Sequence, residues 1–283
     1  PAGLVAAGGG SGQEGNPLLA TVAILAVALG SGAAGAINMW YDADIDAVMT
    51  RTSTRPIPSG AVPKDEALAM GLIMSAVSVL LMWIASNVLA AGLLAFSIVY
   101  YGWFYTMVLK RRTAQNIVIG GAAGAFPPVI GWAVVTGTTP LDAWILFAII
   151  FFWTPPHFWA LSLVAHKEFM KAGVPMLPLT YGAKATRTQI LIYTILLAPI
   201  GLAPLATGLG GMVYGLVGGL LTLAFLYHAV KIWRSEAGEA EAGDAERKVA
   251  MGMFAFSILY LFGLFAALII EHGFGLYFPL GAL

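Results

Sequence analysis

The sequence predicts an all-α fold, a polytopic membrane bundle of helices, and three observations carry that reading. Hydrophobic residues make up 59% of the 283-residue chain and charged residues 10%, with a mean hydropathy of +0.85, a balance that no water-soluble globule of this size shows. Eight apolar runs are long enough to cross roughly 30 Å of hydrocarbon, and the period-two alternation of a membrane β-barrel is absent. All fourteen Lys and Arg fall on one side if those runs alternate in direction.

In chain order the runs lie near 17–38, 67–86, 89–109, 116–136, 141–164, 188–207, 210–232 and 250–271. The connectors 39–66, 110–115, 165–187 and 233–249, with Lys231 at a helix end, hold every basic residue, whereas those around Asn87, Thr136 to Pro140 and Thr207 to Gly210 hold none. By the positive-inside rule the charged side is the cytosol or its matrix equivalent. The first run therefore starts outside, and parity leads to the expectation of one further span upstream. Residues 1–17 have neither the basic start nor the apolar core of a signal peptide and read as a loop. Fourteen acidic residues balance the basic ones, no basic stripe with interleaved aromatics points to nucleic acid, and the lack of cysteine excludes disulfides and thiolate chemistry.

The first run leads into NMWYDADIDAVMTRTSTRPIPSG, residues 38–60, the one stretch dense in polar chemistry. Asn38, Asp42 and Asp46 recur every four residues, so a continuing helix advances them only about 40° per step and sets an amide and two carboxylates on one face. Asp44 leaves that face, and Pro56 and Pro58 end any helix, placing Arg51 and Arg55 on an irregular connector. Hard oxygen donors beside fixed positive charge suit Mg²⁺ holding a diphosphate, with the arginine forks gripping the remaining oxygens. The plainer alternative is a helix end that is merely solvated and ion-paired.

The third run closes with Tyr100, Tyr101, Trp103, Phe104 and Tyr105 before Lys110, Arg111 and Arg112. Such a sequence is an ordinary membrane-interface belt, or else rings such as Tyr101 and Tyr105 line an apolar tunnel and face a cation while Lys110 and Arg111 meet a diphosphate. In the fourth run Pro127 and Pro128 mark a break beside a cavity. The fifth repeats that pattern at Pro155 and Pro156, with His157 among Trp153, Phe158 and Trp159. Two readings are open to His157: a functional role, as an ionisable group inside a span, or a packed histidine bonded to a carbonyl freed by the prolines. RSEAGEAEAGDAERK, beginning at Arg234, reads as a solvent-exposed linker.

The arrangement NxxxDxxxD at Asn38, Asp42 and Asp46 resembles that of UbiA-type intramembrane prenyltransferases. Longer strings, NMWYDADID with MTRTSTRPIPSG, YTMVLKRRTAQNIVIGGAAGAFPPVIGW, WTPPHFWALSL and AGVPMLP, are similar to those of the haem-farnesylating branch, the protoheme IX farnesyltransferases. The resemblance runs from Asn38 to Pro178. It implies nine spans around a central cavity opening to the cytosol, one more than is found here, where the opening Lys-Pro-Arg signature is also missing. A bacterial inner membrane, rather than a mitochondrial one, is the implied location. The implied reaction joins farnesyl diphosphate to a vinyl group of haem B with Mg²⁺, leaving diphosphate. Asn38, Asp42, Asp46 and His157 would be catalytic, the first three holding the metal and His157 serving as axial ligand to haem iron or as general base. Arg51, Arg55, Lys110 and Arg111 would bind diphosphate, and Tyr101, Tyr105, Trp153 and Phe158 would line the isoprenoid or acceptor pocket. A downstream haem A synthase or oxidase assembly factor is the implied partner. The connector 165–187 carries Glu168 where small-acceptor UbiA enzymes carry a second aspartate-rich motif. A quinone-precursor or chlorin acceptor, and a transporter or haem-binding assembly factor without catalysis, are the alternatives; every Asp, Glu, Lys and Arg at a helix end or in a connector speaks against transport.

Overall fold

The computed structural model describes Val5 and residues 17–278; the loop expected at the N-terminus lies outside the described residues. Eight helices among them are long and apolar enough to cross a membrane. They comprise α1 (Pro17–Tyr41), α3 (Lys64–Ala85), α4 (Val88–Val99) continued by a π-helix (Tyr100–Leu109), and the broken pair α5 (Asn116–Ala125) and α6 (Pro127–Thr136). The others are α7 (Leu141–Lys171), α9 (Ala183–Thr207), α10 (Met212–Arg234) and α11 (Asp244–Gly273), with two short helices, α2 (Ala43–Val48) and α8 (Leu177–Tyr181), in the connectors.

Two packed groups are joined by α5 and α6. One core links α1, α3, α4 and α6 through Ala23, Ala26, Met82, Leu94 and Ile130. The other links α7, α9, α10 and α11 through Trp159, Ile190, Tyr214, Phe225 and Tyr260. Small residues drive the first, because lipid is as apolar as leucine and helices associate by close approach rather than by escape from water. A Cβ on Gly71 would stand 2.9 Å from Ile37 Cγ1, so α1 and α3 meet at that distance only with glycine there. Outward faces carry Leu72, Ile73, Leu80 and Ile84 on α3 and Leu216, Leu220 and Leu223 on α10, all exposed, as expected where the solvent is hydrocarbon.

Three expectations are corrected. The helix at Pro155 and Pro156 is unbroken: α7 runs through both prolines for 31 residues. Only two amide donors are lost, and the hydrogen bonds on either side carry the helix across. By contrast the break at Pro127 is real, with Phe126 between α5 and α6 and Pro127 at the first position of the new helix, where its missing N–H costs nothing. Helices also run past the hydrocarbon limits, α7 to Lys171 and α11 from Asp244, because polar residues continue a helix that hydropathy no longer sees. Finally, the linker after Arg234 is not wholly solvent-exposed. Ala237 is 1% exposed, and the buried Arg187 of α9 bonds the Ala237 carbonyl at 2.7 Å and Glu239 at 2.9 Å.

Candidate active site

The α1 helix gives way at Asp42, whose φ of −91° and ψ of 15° lie outside helical values, yet the hydrogen-bond spacing survives. Asp42 N–H donates to the Asn38 carbonyl at 2.9 Å and Asp46 N–H to the Asp42 carbonyl at 2.8 Å. Asn38, Asp42 and Asp46 therefore keep one face, and all three are buried, Asp42 at 0% exposure and Asp46 at 2%. Burying two carboxylates demands countercharge. Lys110 Nζ bonds Asp42 Oδ2, Arg111 Nη2 lies 3.2 Å from Asp42 Oδ1, and Arg55 Nη1 lies 2.7 Å from Asp46 Oδ2. Asn38 Nδ2 donates to Asp42 Oδ2 at 2.9 Å and to Thr106 Oγ1 at 3.1 Å, while its side-chain Oδ1 has no hydrogen bond among the described residues.

Asp44 faces away, as its spacing requires, but it is engaged. Its two oxygens take both terminal nitrogens of Arg111 at 2.8 and 2.7 Å. That fork holds the Asp44 carboxyl down at about 2 and pushes the Arg111 guanidinium up. Arg111 also lies 4.9 Å over the Tyr41 ring, and its buried Nε has no partner among the described residues.

The π-helix supplies the opposite wall. With about 4.4 residues per turn in an i→i+5 ladder, residues 101, 105, 106 and 110 share one face. Lys110 N–H bonds the Tyr105 carbonyl at 2.9 Å in that register, and Thr106 Oγ1 donates to the Tyr101 carbonyl at 2.8 Å. Tyr101 and Tyr105 stack at 5.2 Å. Gly120 of α5 makes room for them, since a Cβ there would come within 2.1 Å of Tyr105 Cδ2. Tyr101 in turn lines a cavity of about 250 Å³ between α1, α4, α5 and α6, walled by Ala34, Gly35, Ser97, Gly124 and Pro127. It begins one helical turn inward of Asn38. A larger groove of about 430 Å³ between α3 and α4 is lined by Leu80, Trp83 and Val88; it has no polar chemistry and belongs to the lipid-facing surface.

The remaining candidates lie elsewhere. Arg51 is exposed and has no ion pair among the described residues, so the structure does not join it to the carboxylates. His157 sits on α7 in the second helix group, 8% exposed, between the rings of Trp153 at 4.3 Å and Phe254 at 4.5 Å. Its Nδ1 lies 2.6 Å from Ser257 Oγ, so its partner is a hydroxyl on α11 rather than a proline-freed carbonyl. Trp153 Nε1 donates to the Ser257 carbonyl at 2.7 Å, while Phe158 is 42% exposed with its ring perpendicular to that of His157.

Sequence reasoning missed Thr106, Ser257 and Asn116. Asn116 donates to the carbonyls of Thr113 at 2.8 Å and Pro175 at 3.1 Å and staples two connectors below the site. Glu168 accepts from Thr50 N–H at 2.7 Å and pairs with Lys171; the Thr50 N–H leads the forces that lower its pKa. It ties the end of α7 to the arginine-bearing connector.

A profile of the UbiA prenyltransferase family matches residues 1–243. The chain belongs to the UbiA prenyltransferase family. A UbiA member is by that fact a multi-pass membrane prenyltransferase. Among its relatives, a protein of Hyphomonas neptunium named protoheme IX farnesyltransferase is 72% identical over 98% of this chain and 87% of that protein. The UbiA fold extends to solved structures. A digeranylgeranylglyceryl phosphate synthase covers 96% of this chain and 91% of its own with a TM-score of 0.77 at 18% identity. A UbiA homologue of Archaeoglobus fulgidus bound to GPP and Mg²⁺ covers 94% of each chain with a TM-score of 0.63 at 15% identity. At those identities the likeness concerns the fold alone.

Proposed function

We propose that this chain moves the farnesyl group of farnesyl diphosphate onto a vinyl group of haem B, giving haem O and diphosphate after water adds. The observation that carries the reading is the neighbourhood of Asn38, where a buried cluster of acids and bases stands one helical turn from an apolar cavity lined by Ala34 and Tyr101. An allylic diphosphate needs both halves, a charged seat for the leaving group and a dry pocket for the cation. The name borne by the relative at 72% identity supplies the acceptor.

In bond terms, the allylic C1–O bond breaks with its electron pair leaving on diphosphate oxygen, and the vinyl terminus donates the pair for the new C–C bond. The cation left beside the porphyrin takes a water oxygen and sheds a proton. Arg55, Lys110 and Arg111 seat the diphosphate, and Arg111 Nε is a donor still lacking an acceptor. Tyr101 walls the pocket with Tyr105 stacked against it, keeps water out and turns its π face toward the cation.

The donor set fits Mg²⁺. Three acids, Asp42, Asp44 and Asp46, already balance Lys110, Arg111 and Arg55, so a diphosphate brings negative charge that a divalent cation would offset. Asn38, Asp42 and Asp46 would hold it, in keeping with an ion that takes one or two carboxylates plus phosphate oxygens. When bound, Mg²⁺ supplies Lewis-acid stabilisation of the leaving oxygens. His157 would ligate the iron of haem B and so orient the vinyl group. The protein sits in a bacterial inner membrane with the carboxylate cluster facing the cytosol, a reading supported by the fourteen basic residues on that side of the spans.

Diphosphate release from the purified protein in lipid nanodiscs, with farnesyl diphosphate and Mg²⁺, tests the reading. Release dependent on haem B, with farnesylated haem as product, is expected. Faster release with a small aromatic acid or quinone precursor than with haem would overturn the acceptor.

A further inference from the structure

We infer that Ser257 is a positioning residue that locks His157 in one tautomer, with the proton on Nδ1 and the lone pair of Nε2 presented to the porphyrin iron. The inference rests on the reading of haem B as substrate and deepens it.

The argument starts from one hydroxyl proton. Ser257 Oγ lies 2.5 Å from the Phe254 carbonyl oxygen and 2.6 Å from His157 Nδ1. A carbonyl oxygen only accepts, so at that separation the serine proton must lie between the two oxygens; without it they would repel. The hydroxyl then has only lone pairs left for the imidazole, and Nδ1 must be the donor. A neutral imidazole carries one proton, so Nε2 keeps its lone pair. Among the described residues Nε2 has no hydrogen-bond partner, and it is not among the sealed polar atoms without one.

Rotation is blocked as well. Trp153 and Phe254 sandwich the ring at interplanar angles of 19° and 24°, and the Trp153 Nε1 bond to the Ser257 carbonyl fixes the upper ring to the same turn of α11. Two residues of α11 about a hundred positions away, Phe254 and Ser257, together with Trp153 one turn earlier on α7, thus set the plane and the tautomer of His157. A donor ring held by an acceptor at its far nitrogen is the arrangement that makes imidazole a better and better-aimed metal ligand. A histidine merely filling space would need neither.

The test begins on the unaltered, haem-free protein in nanodiscs. Histidine ¹⁵N spectra, with the His157 signals identified by difference against His157→Gln, should show a protonated Nδ1 and an unprotonated Nε2; the reverse tautomer overturns the inference without any serine variant. Haem B is then titrated into wild type, His157→Gly, Ser257→Ala and Ser257→Thr, following the absorption band and the ferrous Fe–N stretching band. Ser257→Ala should bind haem about tenfold or more weakly, the range for loss of such a partner, with the stretching band shifted to lower frequency. Ser257→Thr, which keeps the hydroxyl, should move both back toward wild type. His157→Gly should lose the band, and added imidazole should restore it. If His157→Gly leaves the spectra unchanged, the ligand reading fails and takes this inference with it. If His157→Gly loses the band but Ser257→Ala matches wild type, the ligand stands and Ser257 has no positioning role.

Discussion

Replacing Asp42 by Asn separates the buried carboxylate from its exposed neighbour. Asp42 is 0% exposed and takes Lys110, Arg111 and Asn38 together. Removing one partner of a buried ion pair costs about 3–5 kcal/mol, but Lys110 and Arg111 keep side-chain exposures of 17% and 32%, so water recovers part of it. A net loss of about 2–3 kcal/mol in the seating of the diphosphate corresponds to roughly a 30- to 150-fold fall in rate. Asp44 is different: its side chain is 64% exposed, and even a bidentate pair in that setting contributes only about 0.5–1 kcal/mol after solvent screening, so Asp44→Asn should cost roughly two- to fivefold. Diphosphate release at saturating haem B and Mg²⁺ measures both. Equal losses for the two variants, or an Asp42→Asn enzyme with more than half the wild-type rate, would refute the assignment of roles by helical face and burial.

Arg55→Ala and Arg111→Ala should raise the KM for farnesyl diphosphate at least tenfold and recover rate as substrate rises, whereas Arg51→Ala should stay within about twofold; steady-state kinetics on the three decides. Gly120→Ala should lower the melting temperature through about 1–3 kcal/mol of overpacking against Tyr105, while Gly124→Ala, whose Cβ meets nothing within 4 Å, should melt as wild type. Because the Asp44 pKa is depressed in the fold to about 2, the stability it contributes is complete above its unfolded value of about 4. That contribution fades as pH falls from there through 2; acid unfolding of Asp44→Asn should lack this component of the wild-type profile. Since the chain has no cysteine, single cysteines report topology cleanly. Those at exposed Ser59 and Glu241 should resist an impermeant reagent added to intact cells, and one at Thr138 should react; the opposite pattern would invert the orientation.

The bilayer makes much of this fold readable from sequence. Each span is a run of apolar residues of fixed minimum length, and the charges between spans carry the expectation of their sides. The row Asn38, Asp42, Asp46 was legible for the same reason of periodicity, as were the basic partners at Arg55, Lys110 and Arg111. What was not legible comes from contacts between distant segments. The hydroxyl of Thr106 receives Asn38 across 68 positions and that of Ser257 receives His157 across 100, and nothing local distinguishes either from any other small polar residue in a membrane helix. Arg187 holding the carbonyl of Ala237 is likewise invisible in a stretch whose composition reads as solvated linker. Arg51 and Arg55 were indistinguishable by type and neighbourhood, and only the folded connector separates Arg55, paired with Asp46, from Arg51, which has no ion pair among the described residues.

The π-helical stretch between Tyr100 and Leu109 makes the site depend on residue count as much as on residue identity. At about 82° per residue, the advance of a helix with about 4.4 residues per turn, the nine steps from Tyr101 to Lys110 close two turns and return to nearly the same heading. At the 100° of an ordinary helix they would end about half a turn away, with the ammonium carried off Asp42 while every side chain remained in the chain. Deleting one residue between Gly102 and Phe104 should therefore damage the enzyme more than replacing any of the three. Insertions and deletions here act as phase changes, and a substitution scan of the segment would understate how tightly its length is fixed.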